Sequence, residues 1–166
     1  PETMLGDTGV AVNPNDKRYK HLIGKTIILP IINREIPIFT DDYVDMDFGT
    51  GCVKVTPAHD PNDYEMGLRH KLEVINILHP DAKLNENCPL EFQNLDRFEA
   101  RKLIVEKLTE ANYLEKIEDY THQVGHSERT NAIVEPYISK QWFLKMDKLA
   151  IPALKAVNNG EIKFHP

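Results

Sequence analysis

The residues best suited to chemistry lie in one stretch, Phe48–Tyr64, which reads FGTGCVKVTPAHDPNDY. It combines a cation, a hydroxyl, an imidazole and two carboxylates, carried by Lys54, Thr56, His59, Asp60 and Asp63. Two neighbouring carboxylates can hold an ammonium group and a hydroxyl group of a ligand. No other part of the sequence places so many polar groups of this kind so close together, so we expect the functional site here.

The local sequence indicates which elements position these side chains. Residues 52–56, CVKVT, alternate as a strand with one polar face and one core face does. Pro57 ends that strand, and DPND at 60–63 is typical of a helix start with Asp60 as the N-cap. Both carboxylates would then lie at the rim where the strand passes into the helix. Capping of that helix alone explains the same spacing.

Other interpretations of the stretch stay open at this point. Lys54 can be a solvated strand lysine, and the glycines at 49 and 51 can mark either a close ligand approach or a bulge. His59 and Asp60 would suit a metal-dependent phosphohydrolase if histidines from elsewhere joined them, namely His21, His70, His79, His122 or His126. These histidines show no recurring metal-ligand spacing.

Several familiar catalytic motifs are missing from the sequence. It has no Gly-x-x-x-x-Gly-Lys phosphate loop and no Gly-x-Ser-x-Gly nucleophile elbow. A hydrolase built on this stretch would therefore use water directly. Cys52 and Cys88 lack metal-ligand spacing, and we expect both to be free thiols.

Composition limits the classes of protein to consider. The chain has 166 residues, 41% of them hydrophobic, and a mean hydropathy of −0.44, which is typical of a globular chain with a buried core. No apolar run approaches the roughly 20 residues of a membrane span, and a net charge of −6 argues against binding nucleic acid through bulk positive charge. The first residue is Pro rather than Met, so we expect a fragment or a processed product.

Period and turn residues predict a mixture of strands and helices without regular alternation, which favours an α+β fold with a β-rich core. The predicted strands are residues 9–12, 26–32, 35–39, 52–56 and 73–78, and the predicted helices are residues 61–70, about 96–114 and about 149–157. Pro30 and Pro37 remove backbone donors, so we expect their strands to lie at a sheet edge or to carry bulges.

Three motifs carry a resemblance to a known family: PETMLGDT at 1–8, the stretch at 48–65, and VEPYISKQWFLKM at 134–146. Together they resemble the editing domain of valyl-tRNA synthetases, an insertion in the class I catalytic fold. The resemblance covers nearly the whole chain. It implies one domain, 1–166, with an editing core at about 1–120, a barrel-like mixed sheet with surrounding helices, and a return segment at about 121–166.

The resemblance implies hydrolysis of threonine wrongly esterified to valine tRNA. An apolar synthetic pocket rejects this near isostere of valine only about 100-fold, so a second site that reads the hydroxyl is needed. The implied partners are the threonine-bearing 3′ end of valine tRNA and the remainder of the synthetase. We expect a cytoplasmic monomer without membrane contact. The editing reaction would need no metal or cofactor, and the full-length enzyme would use ATP and Mg²⁺.

The resemblance also implies roles for individual residues. Asp60 matches the carboxylate that holds the substrate's α-ammonium group, and Asp63 matches the one that reads the threonine hydroxyl. Asp60 and Lys54 are the residues expected to take part in catalysis, in which water attacks the ester and the free ribose hydroxyl assists. The other expected substrate contacts are Phe48 as an apolar wall near the terminal adenosine, Thr56 and His59 as polar groups, and Glu2 and Thr3 in the opposite wall.

One departure from the family pattern concerns the beginning of the chain. The family places Thr-Thr-Arg before Pro-Glu-Thr, and the present sequence starts at Pro1. We therefore expect the isolated chain to fold but to edit poorly. Two alternatives remain at this stage: a non-catalytic module that binds the tRNA 3′ end, and the metal-dependent phosphohydrolase described above.

Overall fold

A computed structural model describes residues 1–119, 121 and 123–165 of the chain. A short 3₁₀ turn, Met4–Gly6, precedes the first strand. The regular elements are β1 (Gly9–Val12), β2 (Thr26–Leu29), β3 (Arg34–Thr40), β4 (Cys52–Val55), α1 (Pro61–His70), α2 (Arg97–Glu110) and α3 (Asp147–Asn158). The predicted α+β class is confirmed.

The four strands form one open mixed sheet in the order β2-β3-β1-β4. β1 pairs in parallel with β3 and antiparallel with β4, where Gly9 is opposite Val55. Pro37 lies inside β3, an interior strand, although the sequence suggested an edge or a bulge. It is tolerated because β3 pairs with β2 over residues 34–37 and with β1 only from Ile38 onward, so the missing N–H falls where the pairing changes sides.

The predicted helices are present, with shifted ends. α1 begins at Pro61 with Asp60 as its N-cap, as predicted, and ends at His70, followed by the C-cap residue Lys71, whose φ of 56° is left-handed. α2 is shorter than predicted because Asn112 adopts a φ of 58° directly after the C-cap residue. α3 is a few residues longer than predicted and contains Pro152.

The strand predicted at residues 73–78 is wrong. This segment runs without regular pairing, except for a single bridge between Leu78 and Leu84. Side chains satisfy its backbone instead: the Ile77 N–H donates to the His59 ring at 3.0 Å, and the Asn85 amide donates to the Asn76 carbonyl at 2.9 Å. Within the segment Ile77 and Leu78 are buried, and most of the backbone partners around them are side chains rather than a neighbouring strand.

Two apolar clusters hold the elements in place. The larger one seats α2 on the loop region before it and contains Leu5, Ile77, Leu78, Leu84, Cys88, Phe92, Ala100 and Ile104. The smaller one seats α1 on the sheet and contains Ala11, Val44, Val55 and Met66. Gly67 allows the close contact of α1 with Pro57, because a Cβ there would lie 2.8 Å from the proline ring. The start of α1 is thereby fixed beside the end of β4.

Most of the described residues from 113 to 165 are exposed; residues 120 and 122 lie outside the described part of the chain. A few contacts anchor this segment to the core, including an Arg97–Glu135 ion pair at 2.8 Å and the contact of His59 with the Pro136 carbonyl at 3.2 Å. Over the described ranges, none of the helices is long and apolar enough to cross a membrane.

Candidate functional site

A cavity of about 650 Å³ opens between β4, the loop before it and the first turn of α1. In the described part of the chain, its lining residues are Tyr43, Asp45, Phe48, Gly49, Thr50, Cys52, Val53, Lys54, Asp60, Asn62 and Asp63. The structure thus brings Phe48, Lys54, Asp60 and Asp63 together, as the sequence predicted. A volume of this size suits a small organic ligand.

Asp60 is both the helix cap and a wall of the cavity. Its Oδ1 accepts hydrogen bonds from the N–H groups of Asn62 at 2.8 Å and Asp63 at 3.1 Å. Among the described residues, its second oxygen has no hydrogen-bond partner, so the half-buried carboxylate can bind a ligand while it caps the helix.

Asp63 occupies the first turn of α1 and is 6% exposed. Its Oδ2 accepts a hydrogen bond from the Thr56 N–H at 2.8 Å, and the Lys54 Nζ lies 4.0 Å from the same oxygen. Burial raises the pKa of this carboxyl, while the Thr56 N–H and Lys54 oppose the rise. Asp63 therefore holds the end of β4 against α1 and also faces the cavity.

Lys54 reaches the cavity from β4 with a half-exposed side chain. Its Nζ donates to the Thr56 hydroxyl at 2.7 Å and lies 3.9 Å from an oxygen of Asp7. Thr56 is fully buried behind the cavity wall, and its hydroxyl donates to that same Asp7 oxygen. We call Asp7, Lys54, Thr56 and Asp63 the Lys54 cluster.

Asp7 is the member of this cluster that sequence reasoning missed. It is 2% exposed, and burial raises its pKa to about 6, against the opposing effects of Lys54 and the Thr56 hydrogen bond. Asp7 sits beside Thr56 because β1 pairs antiparallel with β4, and the Thr8 N–H donates to the Val55 carbonyl at 2.9 Å. The signal in the sequence was an aspartate in the PETMLGDT motif just before an apolar strand.

His59, predicted as a substrate contact, is instead buried between backbone groups. Its Nε2 accepts from the Ile77 N–H at 3.0 Å, so Nδ1 carries the proton and donates to the Pro136 carbonyl at 3.2 Å. Burial lowers its pKa, which favours the neutral ring. Both ring nitrogens are engaged, and His59 is not part of the cavity lining described above.

Glu2 and Thr3, predicted in the opposite wall, also lie away from the described lining. The Glu2 carboxylate accepts two hydrogen bonds from Arg101 of α2, at 2.7 and 2.8 Å. Burial raises the pKa of Glu2, but the Arg101 hydrogen bonds, a backbone hydrogen bond and the positive charges of the chain start and of Arg101 together outweigh this effect and bring it to about 2. The Thr3 carbonyl accepts from the Gly6 N–H at 2.9 Å and closes the 3₁₀ turn. These contacts hold in place the chain segment that leads to Asp7.

Phe48 is 69% exposed at the rim, on a loop whose position is set by polar contacts. Arg18 donates to the Met46 carbonyl at 2.8 Å, and the Tyr19 hydroxyl donates to the Thr50 carbonyl at 2.7 Å. Gly51 suits this position because its φ of 76° strains other residues, and because a Cβ there would lie 3.1 Å from the Met46 carbonyl oxygen. The loop holds an aromatic face at the cavity mouth.

The described residues contain no group of three or more His, Cys, Asp or Glu side chains arranged to hold a metal ion. His122, one of the histidines considered for such a site, lies outside the described residues. The predicted free thiols are confirmed: Cys52 is half-buried and Cys88 is buried. Burial raises the pKa of Cys88 to about 11, so this thiol stays protonated.

A second buried carboxylate lies at the other end of α1. Asp41 accepts hydrogen bonds from Arg69 at 2.9 and 3.1 Å and contacts the His70 Nε2 at 2.8 Å. Burial raises the pKa of Asp41, but the Tyr43 N–H, His70 and Arg69 together bring it below its usual value. We call Asp41, Arg69 and His70 the Asp41 cluster.

Comparison with known proteins places these features in a family. The family model of the leucyl-tRNA synthetase editing domain matches residues 10–99. Valine–tRNA ligases match the whole chain: that of Bacillus subtilis at 61% identity, that of Oceanobacillus iheyensis at 63% and that of Chlorobaculum tepidum at 55%. The chain spans 19% of the length of the first two relatives and 18% of the third.

A solved structure supports the fold. The crystal structure of GlLeuRS-CP1 matches 75% of this chain and 82% of its own, with a TM-score of 0.54 and 15% identity. Sequence and fold therefore agree: the chain belongs to the aminoacyl-tRNA synthetase editing-domain family, within its valyl-tRNA synthetase group.

Proposed function

We propose that the cavity beside Lys54 hydrolyses the aminoacyl ester of threonine wrongly attached to valine tRNA. The observation that carries the proposal is the pair of carboxylates, Asp60 and Asp63, which line one cavity beside Lys54 at a helix start. The family model and the valine–tRNA ligase relatives support a mischarged aminoacyl-tRNA as the proposed substrate class.

The proposed division of labour follows from which carboxylate oxygens are engaged. The Asp60 oxygen that takes no part in capping the helix would bind the α-ammonium group, because it is the one that has no hydrogen-bond partner among the described residues. Asp63 would accept the threonine hydroxyl through Oδ1, since its Oδ2 is engaged by Thr56. Valine has no hydroxyl and would leave that buried oxygen without a partner, which would weaken its binding by about 1–3 kcal/mol.

Lys54 would stabilise the negative charge that develops on the ester carbonyl when water attacks. An ammonium group fixed by the Thr56 hydroxyl at 2.7 Å is already in place before the reaction, which is how such groups lower a barrier most effectively. Water would be the nucleophile. The exposed face of Phe48 would stack against the terminal adenine.

The wider setting of the reaction is part of the proposal. The chain spans 19% of the length of its Bacillus subtilis relative, so the remainder of a synthetase would make most of the tRNA contacts. That synthetase would act in the cytoplasm as a monomer. The ester hydrolysis would proceed without a metal or cofactor, and ATP and Mg²⁺ would serve synthesis elsewhere in that enzyme.

The test is deacylation by a full-length valine–tRNA ligase that carries this segment. We expect hydrolysis of Thr-tRNA(Val) at a rate well above that of Val-tRNA(Val), unchanged by a chelator. Binding of a non-hydrolysable threonyl-adenosine analogue without turnover of the ester would indicate a binding module instead. Equal rates for the two esters would contradict the role given to Asp63.

A further inference from the structure

Asp7 poses a question that packing does not answer. Its carboxylate is 2% exposed, yet its direct side-chain partner is the neutral hydroxyl of Thr56. The nearest side-chain cation is the Lys54 ammonium at 3.9 Å, and Asp63 lies 4.0 Å from that same ammonium. A buried charge without a close counter-ion destabilises a fold. An asparagine of similar size would satisfy Thr56 at lower cost.

The geometry gives this carboxylate a use. The Thr56 hydroxyl has one proton, and it donates that proton to Asp7, which leaves the oxygen lone pairs to accept from Lys54 at 2.7 Å. The Lys54 side chain is half exposed and can adopt many rotamers, so a fixed acceptor for its Nζ, the Thr56 hydroxyl, restricts the position of the ammonium group. Asp7 itself is not among the described lining residues of the cavity.

We propose that Asp7 is a positioning residue that acts through the Thr56 hydroxyl to hold the Lys54 ammonium at the ester-binding cavity. The inference rests on the proposed hydrolytic function. An amide at position 7 can donate to the Thr56 oxygen, and this frees the hydroxyl proton to turn toward Lys54 and oppose its hydrogen bond. A charged, acceptor-only group prevents that reversal.

The charged groups around Asp7 come from several elements. Lys54 on β4 and Asp63 on α1 face its carboxylate, and Arg34 on β3 donates to its backbone carbonyl at 3.0 Å. The pKa of about 6 for Asp7, which burial raises, means that its charge is lost under mildly acidic conditions. Lys54 should then lose its fixed position, and ester hydrolysis should fall.

The experiment uses single-turnover hydrolysis of Thr-tRNA(Val) by a full-length valine–tRNA ligase carrying this segment. We expect Asp7→Asn to lower the rate constant at least 10-fold with little change in apparent affinity for the ester. It should also abolish the rise in rate through about pH 6. Asp41→Asn is the matched control, a second buried carboxylate that should leave both the rate constant and the pH profile unchanged.

A double-mutant comparison separates positioning from general damage. Thr56→Val should reproduce the Asp7→Asn defect, and the double variant should be no slower than either single variant. Thr56→Ser keeps the hydroxyl and should retain the parent rate. Multiplicative defects, or an Asp7→Asn enzyme with the parent rate and pH profile, would overturn the positioning role alone. A parent enzyme that does not hydrolyse the ester would instead overturn the proposed function, and the role of Asp7 with it.

Discussion

Each end of α1 lies against a cluster that contains a buried carboxylate, and the two clusters differ in the ratio of carboxylates to basic groups. In the Lys54 cluster, two carboxylates share one half-exposed ammonium at 3.9 and 4.0 Å. In the Asp41 cluster, one carboxylate has both a guanidinium and an imidazole within about 3 Å. The pKa values follow: burial raises those of Asp7 and Asp63, whereas that of Asp41 is lowered.

The difference suggests how a structural carboxylate and one proposed to bind substrate can be distinguished at the two ends of the same helix. The basic side chains of the Asp41 cluster, Arg69 and His70, lie in the last turn of α1, where the helix dipole favours basic groups, and both contact the Asp41 carboxylate. The Lys54 cluster has excess acid and faces a cavity, so a bound ammonium or hydroxyl group can supply what it lacks.

The largest expected effect is on hydrolysis through Asp63. Asp63→Ala in a full-length enzyme should reduce Thr-tRNA(Val) hydrolysis by about 100-fold, because hydroxyl recognition and the seating of Lys54 are both lost. Asp41→Ala is the matched control at the other end of α1 and should keep the parent rate. Similar losses in the two variants, measured by single-turnover deacylation, would remove the functional distinction between the clusters.

The pH dependence of stability should differ between the clusters. The folded-state pKa of Asp7, about 6, exceeds the ordinary 3.8, so the folded state binds the proton more tightly and stability falls as pH rises between these values. Asp7→Asn has no carboxyl at this position and should not lose stability in this way. Between pH 4 and pH 7, the free energy of unfolding of the variant minus that of the parent chain should increase by up to about 3 kcal/mol.

Asp41 should behave in the opposite sense. Its lowered pKa means that its contribution is present above 3.8 and is lost as pH falls below that value. Urea unfolding from about pH 2 to about pH 7 would cover both effects. A difference between Asp7→Asn and the parent chain that stays constant with pH would contradict a raised pKa for Asp7.

Loss of the Asp41 cluster should reduce stability without affecting editing. Asp41→Ala removes charge-assisted hydrogen bonds from Arg69 and His70 and leaves the Tyr43 N–H without its partner, at about 2 kcal/mol. Arg69 is half exposed and can regain water, which limits the loss. The midpoint of urea unfolding measures it, with Asp42→Ala on the exposed neighbouring position as the control.

The smallest effect concerns the helix cap. Asp60→Ala should lower the free energy of unfolding by about 1 kcal/mol, because two backbone N–H groups at the start of α1 lose their acceptor. Asp60→Ser keeps the cap and should restore stability, but it should not restore hydrolysis if the carboxylate holds the substrate's ammonium group. Recovery of the full deacylation rate by the serine variant would reduce Asp60 to a capping residue.

How much of the site could be predicted depends on the range of the contacts. Asp60, Pro61 and Asp63 follow from local helix chemistry, so the rim of the cavity could be read from the sequence. Asp7 could not, because its partner Thr56 lies 49 residues away and is brought near by the pairing of β1 with β4.

Two differences between expectation and structure have related causes. His59 has the right chemistry for a site, and its role stays a prediction, but the structure engages both of its ring nitrogens with backbone groups at Pro136 and Ile77. The segment at 73–78 had the composition of a strand, but the side chains of His59, Asn76 and Asn85 bind its backbone groups. Long-range side-chain contacts of this kind leave no periodic signal in the sequence.

The central claim is that Asp60 and the Lys54 cluster together recognise threonine esterified to tRNA. A crystal structure of a full-length valine–tRNA ligase carrying this segment, with a non-hydrolysable threonyl-adenosine analogue, tests it most directly. The account predicts the amino group within about 3 Å of the free Asp60 oxygen and the side-chain hydroxyl at a similar distance from Asp63. An analogue bound elsewhere, or bound here with its hydroxyl turned toward Phe48, would contradict it.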